Sequence, residues 1–294
     1  MTERAHRRFD AIGTEWHIET DVPLPPDVVR DVDDLIASFD ADWSRFRDDS
    51  LVSRLARTGG RIPAPPDAAA MLDAFAALTA GTDGGVNPLV GEALARRGYD
   101  AGLTLVDHGA IPAPRDWRDV VQWDAGELRV RHPVLLDVGA LGKGRLVDLV
   151  LEVVCAGTTG DVVVDASGDL AVRGCAQRIG LEHPFDPDRA IGVWEVTDAA
   201  LCASATNRRA WGDGLHHVLD ARTGEPVRTT AATWAVADTA MRADAIATAL
   251  FFDGGPRLAH AWGVEWVRMA TDGRVEWSPG CRAELFTARP RVEP

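Results

Sequence analysis

Lysine is almost missing from this 294-residue chain: of its 31 Lys+Arg residues, thirty are arginine and one is Lys143. Tyrosine occurs once, as Tyr99, and asparagine twice, as Asn87 and Asn207. A bias that turns lysine into arginine wherever only charge matters leaves the survivor where a compact ammonium is needed and a planar guanidinium does not serve. Cysteine is scarce too. Cys155, Cys175, Cys202 and Cys281 lie far apart, with no Cys-x-x-Cys pair and no neighbouring histidine. That argues against zinc and against a disulfide framework, and is compatible with a reducing compartment. Positive charge is in deficit: 45 Asp+Glu leave a net charge of −14, which argues against a nucleic-acid binder, whose surface would show a basic face to phosphates. No window reaches 18 apolar residues, and the opening MTERAHRRFDAIGTEW lacks the apolar stretch of a secretory leader. We therefore expect a cytoplasmic protein with no signal peptide, lipobox or integral membrane segment.

What is present suffices for a large core. The chain is 46% hydrophobic, and at this length about 75% of the unfolded surface can be buried. FDAIGTEWHIET alternates apolar and polar residues and predicts a strand turning at Gly13. Pro25 and Pro26 start a helix with Val28, Val32, Ile36 and Phe39 on one side, running to the region of Phe46. A second helix follows Pro65 and Pro66 and ends before Gly84-Gly85. Residues 109–127 predict loop with short elements. VLLDVGALGKG predicts a strand entering a glycine turn, and RLVDLVLEVVCAG a helix. Short strands succeed one another through residues 161–204, then a hairpin turning at Gly224, the strand TAATWAVA, the helix TAMRADAIATALFF and a last Asp-Gly hairpin. Adjacent strands without crossover helices predict an α+β fold. We expect one domain over 1–294, helix-rich to about residue 130 and strand-rich beyond.

Five segments could carry chemistry. In LLDVGALGKGRLVD, Asp137 closes an apolar strand, and Gly139, Gly142 and Gly144 would let the backbone turn tightly and approach a ligand. Lys143 then stands at a helix start, where the dipole and unpaired N–H groups favour an anion. The spacing is not that of a Walker A loop, since residue 145 is arginine. Asp244 and Thr248, four residues apart on a helix, present two oxygens to one hard cation, although such pairs are also commonplace. In LHHVLDARTGEPV, His216 and His217 would point to opposite faces of a strand, so at most one faces a site. GGVNPLVG holds the rare Asn87. Asp165 and Asp169 flank a Ser-Gly turn, where turn chemistry is explanation enough.

In this order, these segments resemble the FAD:protein FMN transferase (ApbE) family. Ile12-Gly13-Thr14 echoes the family's Met-Gly-Thr strand, and WSRFRDDSLVSRL its F-S-x-Y-x-x-x-S segment. GGVNPLVG is similar to G-x-F-D-P-x-V-G, and LDVGALGKGRLVD matches the hallmark L-D-[LV]-G-[GA]-[IL]-[AG]-K-G-x-x-x-D nearly throughout. The Gly-Asp of DASGDLAVRG, HHVLDARTGEP and ADAIATAL match the remaining motifs. Ile12 stands for the family's Met, Phe46 for its Tyr and Asn87 for its Asp, and ASATNR replaces a T-S-G-[DS]-Y segment.

The resemblance implies an ApbE-like (T-fold-like) fold of mixed and antiparallel sheets flanked by helices. It implies FAD as substrate, Mg²⁺ as cofactor, and transfer of the FMN half to a Thr or Ser hydroxyl of an acceptor flavoprotein, with release of AMP. The acceptor would carry a D-G-x-[ST]-G-A-[ST]-like motif, which this chain lacks. FAD pyrophosphatase activity and a non-catalytic FAD-binding module are the alternatives. The metal ligands implied are Asp244, Thr248 and the carbonyl of Ala140. Ile12, Phe46, Gly85, Val86, Asn87, Asp137, Lys143 and Val218 would contact FAD, and His217 would be the base.

Overall fold

A computed structural model describes residues 4–124 and 126–286. The alternating first segment forms a hairpin. Ala5–Ala11 (β1) and Thr14–Thr20 (β2) pair antiparallel, with Ile12 and Gly13 in the turn. Trp16 and Ile18 point into the core. Six further strands extend the hairpin: Val162–Asp165 (β3), Asp169–Arg173 (β4), Ala200–Ala205 (β5), Thr230–Ala237 (β6), Glu265–Ala270 (β7) and Val275–Trp277 (β8). Their spatial order follows the chain, and every neighbouring pair is antiparallel. Helices therefore enter as insertions between neighbours and not as parallel crossovers, which makes the fold α+β as expected.

Among the described residues, five helices have eight residues or more: Pro26–Trp43 (α1), Leu51–Thr58 (α2), Ala68–Gly81 (α3), Gly142–Gly157 (α4) and Ala240–Ala249 (α5). The α1 face predicted from its spacing is the buried one: Val28, Val32, Ile36, Phe39 and Trp43. One face of the main sheet packs against α4 and α5. Leu181, Ile191, Trp194 and Val196, from the paired strands Ala176–His183 and Asp186–Thr197, cover the other face. β6 lies between the two layers and is buried at all its positions, which is why its sequence does not alternate. Among the described residues no helix is long and apolar enough to cross a membrane.

One expectation fails. VLLDVG is not a strand: among the described residues, 134–138 pair with no strand and belong to no sheet. Leu136 is fully buried, and the Asp137 N–H donates to the carbonyl of Pro88. The apolar run is core lining beneath the Gly85–Leu89 loop, a case that periodicity cannot separate from a buried strand.

Candidate active site

α4 and α5 are laced together at their N-terminal ends. Thr239 caps α5, its hydroxyl accepting from the Arg242 N–H. Asp148, the seventh residue of α4, accepts from the N–H groups of Ala240 (2.6 Å) and Met241 (2.9 Å). Burial pushes this carboxyl up to about 6, against the two amide bonds. Asp148 thus serves as a second cap on the helix that carries Asp244 and Thr248. The glycines of the hallmark segment have roles other than the tight turn expected of them. Gly142 and Gly144 are already helical. A Cβ on Gly144 would lie 2.3 Å from the Ala240 carbonyl oxygen and 2.7 Å from Asp244 Cβ, so this glycine sets the spacing between the helices. Its N–H donates to Asp244 Oδ2 at 3.0 Å.

The close approach brings three oxygen donors into one neighbourhood. Thr248 Oγ1 donates to the Ala140 carbonyl at 3.1 Å, and Asp244 lies one turn back on the same helix. Burial, reinforced by Asp169, pushes the Asp244 carboxyl well above the usual carboxylate range. A cation at its oxygens would offset both the burial and the nearby Asp169 charge and so favour the ionised form.

Above these groups opens a cleft of about 590 Å³, within the range of small-molecule sites. Every residue that sequence reasoning selected, except Asp244, lines it: Ile12, Phe46, Gly85, Val86, Asn87, Asp137, Ala140, Lys143, His217, Val218 and Thr248. Asp244 lies behind the floor and is 4% exposed. One part of the wall is apolar, with Trp43, Phe75, Val90 and Phe252 joining the residues above. The other part is polar, around Lys143, Arg209, His217 and Thr248.

Several of these side chains are already engaged within the protein. Asn87 donates from Nδ2 to the Pro114 carbonyl and accepts the Leu89 N–H, so its amide fixes the loop. Asp137 accepts from Arg45 Nε and from the Gly139 N–H, bracing the turn before α4. Lys143 Nζ donates to the carbonyls of Ala166 (2.9 Å) and Ser167 (3.2 Å) and lies 3.3 Å from Asp169 Oδ2. Ser167 has φ 53, a left-handed conformation that costs a non-glycine residue free energy. The ammonium therefore steadies a strained turn and neutralises a buried acid, which answers why this position is lysine. Lys143→Arg is expected to lower unfolding free energy by about 1–3 kcal/mol, because a planar fork cannot satisfy this nest of acceptors. Urea unfolding measures it, and an unchanged midpoint would make the lone lysine an accident of composition.

His216 and His217 separate as a strand pair would, although only Leu215–His216 is strand. His216 is buried with Nε2 2.9 Å from the Val227 carbonyl. His217 lines the cleft and its Nδ1 has no hydrogen-bond partner. Burial, then Arg209, then His216 lower its proton affinity to about 3. The imidazole is neutral throughout the physiological range.

Sequence reasoning overlooked four residues. Asp169, read as turn chemistry, is 1% exposed and forms the ion pair with Lys143. Asp148 lay inside the hallmark segment without a role. Arg45 is buried, stacks over Phe46 at 4.2 Å and donates to the Tyr99 carbonyl. Arg209, the residue that follows the ASATNR segment, lines the cleft with no ion pair among the described residues. Nothing local marks either arginine among thirty.

A family model described as the ApbE family matches residues 12–266. The chain is 26% identical over 288 residues to the FAD:protein FMN transferase of Treponema pallidum (strain Nichols), covering 84% of this chain and 78% of that protein. It is 32% identical over 163 residues to the FAD:protein FMN transferase of Rhodobacter capsulatus, covering 52% of this chain. That match takes in 31% of the R. capsulatus protein, so the chain spans less than a third of this relative. Among solved structures, the flavin transferase ApbE from Vibrio cholerae has a TM-score of 0.77 at 20% identity, covering 94% of this chain and 97% of that one. The ApbE protein of Thermotoga maritima has a TM-score of 0.79 at 21% identity, covering 95% and 98%. With the family model spanning most of its length and the same fold in both solved structures, the chain belongs to the ApbE family.

Proposed function

We propose that the cleft holds FAD with Mg²⁺ and that the chain transfers the FMN half of FAD to a Thr or Ser hydroxyl of an acceptor flavoprotein, releasing AMP. The observation that carries this reading is the pair of oxygens on the cleft floor, from Thr248 and Ala140, with Asp244 one turn back on the helix of Thr248. Ligands bound to Mg²⁺ at about 2.0–2.1 Å in octahedral geometry lie about 2.9 Å apart at neighbouring positions. Thr248 Oγ1 and the Ala140 oxygen are 3.1 Å apart, and Asp244 adds the negative charge. Hard oxygen donors of this kind suit Mg²⁺ and not a thiolate-seeking metal. When bound, the metal neutralises charge on the pyrophosphate during phosphoryl transfer.

The protein's own groups divide the remaining work. Phe46, Ile12, Val86 and Val218 offer apolar surface to the ring systems of FAD. The loop of Gly85 and Asn87 shapes the wall, with Gly85 so close to the Phe252 ring that a Cβ would lie 2.5 Å from it. Lys143 supplies a fixed positive charge, and Arg209 supplies one that is free to meet a phosphate. His217 accepts the proton of the acceptor hydroxyl. Arg209 is the largest charge holding His217 below its ordinary range, so an anionic phosphate on Arg209 would relieve that depression. Base strength is then coupled to occupancy of the site.

His217→Ala is expected to lower kcat by about 10²–10⁴-fold while leaving FAD affinity nearly unchanged. A loss confined to affinity would make His217 a ligand contact. Because its proton affinity in the free protein is lowered to about 3, the kcat/KM profile is expected to show no acid limb near the ordinary imidazole value of about 6.5. Stability carries the matching sign. As pH falls below about 6.5 the unfolded chain binds a proton that the folded chain refuses, so this residue destabilises the fold progressively down to about pH 3.

Incubation with FAD, Mg²⁺ and an acceptor bearing the D-G-x-[ST]-G-A-[ST]-like motif tests the assignment by in-gel flavin fluorescence. Covalent fluorescence on the acceptor supports transfer. AMP without labelled acceptor would mean a pyrophosphatase, and FAD bound but unchanged would mean a binding module.

A further inference from the structure

The outward face of the β1–β2 hairpin carries a group of side chains that the cleft does not use. Antiparallel register sets His6 opposite Glu19, and His17 lies two residues before Glu19 on the same face. His6 Nδ1 and His17 Nε2 are 3.0 Å apart. Glu19 Oε1 is 3.8 Å from His6 Nδ1 and 3.7 Å from His17 Nδ1. One atom from each of the three side chains falls within 4.8 Å of the others, and among the described residues this group is the one with such spacing.

We propose that His6, His17 and Glu19 form a binding site for a borderline divalent cation of the Zn²⁺ class, with a remaining position open to water. Imidazole nitrogens bind Zn²⁺ at about 2.0–2.1 Å, which places two tetrahedral ligand atoms about 3.3 Å apart. The nitrogens now share a hydrogen bond between nearly parallel rings (interplanar 17°), so the pair must open by a few tenths of an ångström and the rings turn to aim both lone pairs at one ion. The carboxylate is oriented from behind: Arg4 Nη1 lies 3.5 Å from Glu19 Oε2, leaving Oε1 toward the imidazoles. Such outer-shell support is typical of metal sites. His6 is 48% exposed at its side chain, which gives the ion an entry path, while His17 and Glu19 are more covered at 21% and 24%. Arg8, opposite His17, is an unfavourable charge. Asp10 and Glu15 on the same face of the hairpin offset it.

Two nitrogen ligands favour Zn²⁺, Ni²⁺ or Cu²⁺ over Mg²⁺, so this site and the oxygen-lined cleft select different ions. Cysteine spacing argued against zinc; cross-strand register brings the imidazoles together in a way that spacing along the chain does not show. The ion would brace β1 against β2 at the end of the hairpin away from Ile12 and Gly13, which line the cleft.

Calorimetric titration of the full chain with Zn²⁺, in excess Mg²⁺ at about pH 7.5, tests the site. One equivalent is expected to bind without competition from Mg²⁺. His6→Gln and His17→Gln should each weaken it by more than ~10-fold, and the double variant should abolish it. Circular dichroism should show both variants folded, since the positions are on a strand surface. Zn²⁺ binding that survives in the double variant, or no binding by the unaltered chain, would overturn the proposal.

Discussion

Asp244→Asn is expected to reduce Mg²⁺-dependent AMP release by ~100-fold or more while leaving the fold in place. Asparagine keeps an acceptor oxygen for the Gly144 N–H, which now bonds to Asp244 Oδ2 at 3.0 Å. Only the charge is removed. The carboxylate is buried, and Asp169 adds to the burial that raises its proton affinity. Without a cation, burial and Asp169 favour the protonated, neutral acid, which an amide closely resembles, so the metal-free asparagine variant should unfold at about the same temperature. Activity measured against Mg²⁺ concentration, alongside thermal unfolding without metal, separates the two effects. Turnover equal to that of the unaltered chain would remove Asp244 from the metal set.

Gly144→Ala is the second large effect. Its Cβ would lie 2.3 Å from the Ala240 oxygen, a backbone atom that cannot swing aside. The two helices must separate, at about 1–3 kcal/mol for overpacking of this kind. Separation also stretches the Asp148 bonds to Ala240 and Met241 and moves Asp244 and Thr248 relative to Ala140. A displacement of about 1 Å at reacting groups can cost ~100-fold in rate. We therefore expect activity to fall far more than stability. Gly142→Ala is a useful comparison, because its Cβ would meet the side chain of Val138, which can shift. Equal activity of both variants would mean that helix spacing does not position the floor.

These two positions also show how much could be read from the sequence. The four-residue spacing of Asp244 and Thr248 is a local property of a helix, and the helix is there. The apolar run RLVDLVLEVVCAG located α4, although the helix begins three residues earlier and takes in Gly142, Lys143 and Gly144. Which histidine faces the cleft followed from the resemblance, since alternation required only that one of the pair do so. The missing parts are contacts between distant segments. Lys143 meets Asp169 because the β3–β4 turn folds back over the start of α4, and no pattern near either residue encodes that meeting. Arg45 and Arg209 are distinguished from the other arginines only by what does or does not pair with them. The false strand at Val134–Val138 has the same origin. Its burial is encoded in its composition, whereas its lack of a partner is decided by the loop that lies over it.

The most direct test of the account counts products. The protein is incubated with FAD, Mg²⁺ and the motif-bearing acceptor, and AMP is quantified beside the intact mass of the acceptor. The account predicts one AMP for each FMN covalently added, with both products lost in Asp244→Asn. AMP formed with no change in the mass of the acceptor would contradict it, because the cleft would then deliver the FMN half of FAD to water and not to a protein hydroxyl.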